Sequence, residues 1–388
     1  MMYALSDISM DGAVGYASLL NVNYATWLSC IGGVAWIYGY SINFKRKSEY
    51  AVFKIYTTKL FVATVVTIAV FLATAGSEFF SGAIYKGQSS ASVATVSAAY
   101  TQLLASILLS VLTAAVILRK SDNKLTLNQS IGSFIKYDRA YCILIIFYIL
   151  LYLASGDRGG ALKLMLCFLV MFGSLLRPIR GKEFAVCIIV GALLMTLIGL
   201  GRSSSTGSNV LLSGVSQFEL TSGYDFTLEL AGSVRTLYKA VDLSENGGQY
   251  FYGKLWLGEF LGTIPFSQNI YLMLSGDSPH ELGSAAYITY MSVGPNSISG
   301  EGTSLVADIF LNFGVVGVLQ CLFLLGIIFR KMTHELSCQR SYLWIVATCL
   351  MAAEAFYMSR GSLLGALRPI IWGVLAASLL TTYKRRHK

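Results

Sequence analysis

Ser155-Gly156-Asp157-Arg158-Gly159-Gly160 separates two apolar runs, Ala140 to Ala154 and Ala161 to Leu176. Each run reads as a membrane span, so the hexapeptide puts an aspartate and an arginine where lipid meets water. Its three glycines let the backbone come close to a ligand. The same residues also read as an interfacial Asp-Arg pair capping two helices. An anion site at the outer face gains weight because other arginines fall at the same level.

Working outward, apolar residues make up 55% of the 388-residue chain and charged residues only 13%. Mean hydropathy is +0.63. Soluble domains carry about a quarter charged residues, so this composition belongs to a polytopic membrane protein. Nine segments have the length and hydropathy of spans: Val22 to Ile42, Ile55 to Ala75, Val93 to Leu118, Ala140 to Ser155, Ala161 to Leu176, Phe184 to Gly201, Leu305 to Phe329, Leu343 to Met358 and Leu363 to Thr382. The expected fold is therefore an all-α integral membrane protein of about nine to eleven transmembrane helices. One long outer loop with amphipathic helices interrupts it. The division is 1–201, an N-terminal bundle of about six spans; 202–302, the loop; and 303–388, a C-terminal bundle of about three.

Orientation follows from lysine and arginine in the short loops. The connectors after spans one, three, five and seven and the C-terminal tail hold 20 of the 29 basic residues against five acidic ones. That face, net +15, is expected to be cytoplasmic; the remainder carries −6, so the overall +9 reports topology and implies no nucleic-acid partner. Six of the seven cysteines fall inside spans and Cys338 in a cytoplasmic connector, so no disulfide framework is expected. The polar, acidic start (Asp7, Asp11) has no basic n-region, and no cleavable signal peptide is indicated. The longest inner connector, Arg119 to Arg139, lacks Gly-rich and carboxylate motifs, which leaves a nucleotide site without a home.

Loops as long as 202–302 are uncommon without a function. The segment opens on a polar leash, Arg202 to Ser208, and continues through Gln217 to Asp242 with apolar spacing that suits amphipathic helices on a membrane surface. Arg235 and Lys239 there share one helical face. Tyr250 to Glu259 is dense in aromatics and includes Lys254; rings of this kind suit the headgroup belt, core packing or stacking on sugars. His280 is the sole histidine on the outer side, and a lone loop histidine is more often a surface residue than a catalyst.

In order and spacing, the chain from Ala140 onward resembles the O-antigen polymerases, the Wzy-type oligosaccharide repeat-unit polymerases of bacterial surface polysaccharide assembly. The resemblance rests on SGDRGG (155–160), GRSSS (201–205), FYGKLWLGEFLGTIP (251–265), EGTSLVADIFLNFGVVGV (301–318) and MSRGSLLGALRP (358–369). It implies an inner-membrane glycosyltransferase of GT-C type with no cofactor and no metal. Such an enzyme joins undecaprenyl-pyrophosphate-linked repeat units, both donor and acceptor, on the periplasmic side. Implied partners are membrane lipids, a chain-length regulator and a flippase. The family's pyrophosphate-holding arginines map onto Arg158, Arg202, Arg235 and Arg360, and onto Arg368; Lys254 joins them as a further basic candidate.

The residues are consistent with that chemistry. Arginine suits phosphate because its planar fork donates two parallel hydrogen bonds while staying charged. A sugar pyrophosphoryl lipid is already activated, and its departure builds negative charge that preorganised arginines stabilise. No HExxH, paired Cys or His ligands or outer DxD would supply a metal. The acceptor hydroxyl needs a base. Asp157, His280, Glu301 and Glu354 are the leading candidates, beside Glu259, Glu281 and Asp308; Glu354 reads equally well as the buried partner of a cation. Two competing readings are an O-antigen ligase, which shares the bundle, loop and arginines, and a transporter of the polysaccharide or lipid-linked oligosaccharide. A transporter should show internal repeats, and none is convincing.

Overall fold

The computed structural model describes residues 19–44, 52–80, 93–122, 131–155, 157–189, 191, 193, 234–245, 250–295, 300–338 and 341–386. They are helical apart from loops and one two-stranded ribbon. In chain order the elements are α1 (Leu19–Ser41), β1 (Val52–Tyr56), α2 (Thr58–Phe80), α3 (Val93–Asp122), α4 (Ile131–Tyr137), α5 (Arg139–Ala154), α6 (Arg158–Leu175), α7 (Arg235–Glu245), α8 (Leu257–Leu261), α9 (Ser267–Ser275), α10 (Ser284–Val293), α11 (Leu305–Cys338), α12 (Tyr342–Met358), α13 (Leu367–Leu380) and β2 (Thr382–Arg386). Short 3-10 turns cover Lys254–Trp256 and Pro279–Leu282.

Among the described residues, four helices are long and apolar enough to cross a membrane: Thr58–Ala75, Ser97–Ser121, Arg158–Leu175 and Leu305–Cys338. Arg139–Leu153, Tyr342–Ala355 and Leu367–Leu380 are shorter apolar helices. Helices thus stand where the hydropathy places spans, with shifted ends. The connector expected from Gly76 is still α2 as far as Phe80. The segment around Phe184 is helical at 181–189, and its remainder to Gly201 lies largely outside the described residues. The ribbon was not foreseen: β1 and β2 pair antiparallel with Ile55 opposite Tyr383, tying an early segment to the end of the chain.

By contacts the chain divides into two compact units, each assembled from separated stretches. This grouping by packing is a different partition from the topological one read at 201 and 302. One unit comprises Lys47–Phe226, Glu335–Ala353 and Pro369–Lys388. Its centre is α3, where Ile107 to Leu109, Val111 and Leu112, and Ala114 to Leu118 are buried. Tyr141 donates to Thr113 at 2.8 Å, Tyr148 donates to the Gln102 carbonyl at 3.2 Å, and Tyr152 bonds Ser106, so each tyrosine hydroxyl that enters the core has a partner. α5 shows why such helices need lipid. One face buries Tyr141, Ile145, Tyr148 and Tyr152; the other leaves Ile143, Ile146, Phe147 and Leu150 exposed. An apolar stripe of that extent in water would aggregate.

The other unit comprises Met1–Arg46, Thr227–His334 and Glu354–Arg368. It is built on α11, whose 34 residues are broken at Gly314, with φ 64° and ψ −159°. Only glycine takes that conformation readily. The part after the break is about 36 Å long, enough to cross the roughly 30 Å of hydrocarbon alone. α1 lies against it through glycines. A Cβ on Gly39 would stand 2.1 Å from the Phe323 carbonyl oxygen, and one on Gly326 2.3 Å from that of Trp36. Close backbone approach through small residues is how helices associate where lipid removes the hydrophobic drive.

Candidate active site

The break in α11 organises its surroundings. A continuous helix would use the Leu311 and Asn312 carbonyls internally; here they accept the Phe251 and Tyr252 backbone N–H groups at 3.0 and 2.9 Å. Asn312, fully buried, accepts the Gly253 N–H through Oδ1 at 3.1 Å and donates through Nδ2 to the Asp308 carbonyl at 2.9 Å. Gly253 stands at φ 92°, in the left-handed region. The aromatic FYGKLW stretch is therefore docked on the broken helix by main-chain hydrogen bonds, and Trp256 packs edge-on against Phe313 at 5.0 Å.

One turn before Asn312, Asp308 is completely buried. Its Oδ2 accepts the Trp256 indole N–H and the Leu363 backbone N–H, both at 2.8 Å. The buried Ser284 hydroxyl stands beside this carboxylate, and neither it nor Oδ1 makes a hydrogen bond of ordinary geometry. Beside this, Glu259 on α8 accepts the Ser362 hydroxyl at 2.9 Å. Ser362 and Leu363 lie in the turn 359–366, between Arg360 and Arg368. Both arginines are half-buried, and among the described residues neither forms an ion pair with a carboxylate. The Arg368 guanidinium rests on Gly262, at the end of α8; a Cβ there would lie 2.1 Å from its Nη2.

The other candidates take varied places. Arg235 pairs through Nε with Glu301 at 2.9 Å, and the Glu301 N–H donates to Thr289. Lys254 is held by Asp277 at 3.1 Å and Glu281 at 2.6 Å. His280 stacks flat on Tyr290, centroids 3.8 Å apart, which leaves its ring edge for other work. Glu354 is half-buried on α12. Arg235, Lys254, His280, Glu301, Glu354, Arg360 and Arg368 all belong to the α11 unit. Asp157 and Arg158 belong to the other: Asp157 caps α6, accepting the Gly160 N–H at 3.1 Å, and Arg158 is the first helical residue. The helix thus begins inside the SGDRGG turn, because the aspartate satisfies a first-turn N–H. Arg202 and the GRSSS stretch lie outside the described residues. Among the described residues no group of three or more His, Cys, Asp or Glu is placed to hold a metal ion.

Sequence reasoning named Asp308 only in passing and missed Ser284, Trp256 and Ser362. The available signal was an aspartate four residues into an apolar helix, an expensive placement that marks function.

The loop chemistry gives a pH prediction. Hydrogen bonds from Lys254 to Glu281 and then to Asp277 raise the Lys254 amine above its ordinary 10.5. Hydrogen bonds from Tyr271 and then Lys254 lower the Asp277 carboxyl below its ordinary 3.8. A raised lysine stabilises the fold fully below 10.5 and loses that contribution as pH climbs through the raised value. A lowered aspartate stabilises above 3.8 and loses it as pH falls through the lowered value. Amide-exchange protection across 267–282, corrected for intrinsic rate, is expected to stay level between these limits and to fall outside them. A steady decline across neutral pH would contradict the clamp.

A family profile described as O-antigen polysaccharide polymerase Wzy matches residues 135–385, which include the docked loop, Asp308 and the arginine turn. The chain belongs to the Wzy family. No curated protein and no solved structure matches it. Wzy proteins are polymerases of glycosyltransferase type that act on lipid-linked oligosaccharide repeat units in membranes. This Wzy-family chain is accordingly a multi-pass membrane protein of lipopolysaccharide biosynthesis.

Proposed function

We propose that the chain is an inner-membrane, metal-independent GT-C-type glycosyltransferase that extends undecaprenyl-pyrophosphate-linked oligosaccharide on the periplasmic face. Nine to eleven spans carry it, as the hydropathy reading has it, with 202–302 outside and bundles at 1–201 and 303–388. Chain-length regulator and flippase act beside it. The observation that carries the reading is the turn 359–366 with the start of α13: within a Wzy match, they offer two arginines, Arg360 and Arg368, that no described carboxylate neutralises.

In the reaction an acceptor hydroxyl oxygen bonds to the donor's anomeric carbon while the bond from that carbon to the pyrophosphate oxygen breaks. The hydroxyl proton passes to a base, and the released lipid pyrophosphate gains one negative charge. Arg360 and Arg368 would stabilise that charge as it develops. Arg158, Arg202, Arg235 and Lys254 remain secondary candidates, the last two with their charge already met by carboxylates. His280, Glu301 and Glu354 are candidate bases in the same unit, and Asp157 is one in the other. Direct displacement inverts the anomeric configuration.

Purified protein given lipid-linked repeat units alone is expected to produce a ladder of longer chains, each new linkage inverted relative to the donor. A strict requirement for a lipid A core acceptor would replace this reading with a ligase.

A further inference from the structure

We infer that Asp308 and Glu259 are positioning residues: they hold the turn 359–366 so that Arg360 and Arg368 face the lipid diphosphate. The inference rests on the proposed reading of that turn as the leaving-group site.

Inside the turn, main-chain bonding is sparse: Arg360 N–H to the Tyr357 carbonyl, Gly365 N–H to Ser362 and Leu367 N–H to Leu364. Its shape is set from outside, at two adjacent residues. Glu259 takes the Ser362 hydroxyl, and Asp308 takes the Leu363 N–H. Hydrogen bonds to a carboxylate are shorter and about twice as strong as neutral ones, so they fix direction as well as distance. The same Asp308 oxygen binds Trp256, which ties the turn to the loop docked at the helix break. Arg368 in turn lies on the end of the helix that carries Glu259.

Stability alone does not account for Asp308. It is wholly buried, and Oδ1 has no well-formed hydrogen bond, only the Ser284 hydroxyl beside it. A buried carboxylate with an unmet oxygen costs folding free energy, and apolar replacements of buried ionic groups are often more stable. What Asp308 supplies is a fixed relation between helix, loop and arginine turn. A displacement of about 1 Å in a group bearing on the reaction can cost a hundredfold in rate.

The test uses full-length protein reconstituted in bilayers, with initial chain growth measured against donor concentration and with inorganic pyrophosphate as inhibitor. Asp308→Ala is expected to lower kcat about a hundredfold and to weaken pyrophosphate inhibition. Asp308→Asn, which keeps an oxygen for both donors, should recover most of the loss. Glu259→Ala and Ser362→Ala, which each remove one side of the contact, should each reduce kcat, and the double variant should be no worse than the poorer single, as for one shared contact. Wild-type kcat and inhibition in Asp308→Ala and in the double variant, with Arg360→Ala inactive, would overturn the positioning role and leave the site reading intact. Full activity in both Arg360→Ala and Arg368→Ala would overturn the site reading itself. If Asp308→Ala does not accumulate in the membrane, the Glu259 and Ser362 cycle decides: coupled losses support the role, and strictly independent losses overturn it.

Discussion

Arg360→Ala and Arg368→Ala are each expected to reduce chain growth by about a hundred- to a thousandfold, the loss typical when one preorganised donor to a developing oxyanion is removed. In the proposed reaction, negative charge builds on the departing pyrophosphate, and donors already in place meet it without reorganising. These two cations, one in the turn and one at the start of α13, are ones whose charge no described carboxylate already answers. The double variant should lose more than either single, though less than the product if both grip one diphosphate. Lysine at either position keeps the charge and loses the two-pronged donor geometry, so only partial recovery is expected. Cells carrying the alanine variants should display single-repeat caps in place of long chains. Normal ladders from both variants in a purified assay would remove the leaving-group role; loss of all surface glycan with full activity in vitro would point to transport.

Gly326→Ala is expected to cost heavily in stability. A methyl there meets the Trp36 carbonyl oxygen at 2.3 Å and the Tyr40 nitrogen at 2.8 Å, both main-chain atoms of α1. No rotamer change relieves a clash with backbone, so α1 and α11 have to separate. Overpacking of this kind costs about 1–3 kcal/mol, and more when backbone shifts are large. Gly33→Ala on α1 is the matched control, since nothing stands within 4 Å of its added methyl. In a helix interior that exchange is neutral or favourable by up to about 1 kcal/mol. Thermal unfolding in detergent should therefore separate the two. Equal melting of Gly326→Ala and wild type would show that the crossing is looser than drawn.

Much of this molecule was legible in local sequence. Hydropathy located α2, α3, α5, α6, α11, α12 and α13, because the cost of a polar residue in lipid is charged position by position and needs no knowledge of neighbours. Boundaries were less legible where a side chain decided them. Asp157 draws Arg158, Gly159 and Gly160 into the first turn of α6, in line with the helix-capping alternative for SGDRGG, but one turn earlier than the apolar run from Ala161 marks. Leu305 to Phe329 is apolar enough on average to read as one span, and Asp308 and Asn312 within it do not by themselves announce a break at Gly314; the break is satisfied by the Phe251 and Tyr252 N–H groups, which bond the carbonyls it frees.

By itself the sequence determined the membrane class, the approximate helices and the family, all carried by residues close together or by motif order. Tertiary structure decided which cations are already answered: Arg235 by Glu301, Lys254 by Asp277 and Glu281, and neither Arg360 nor Arg368 by any described carboxylate. It also turned Asp308 from one carboxylate among many into the hub of helix, loop and arginine turn. The reason is physical: partition into lipid adds up along the chain, whereas an ion pair depends on where distant segments return, which no local sum contains.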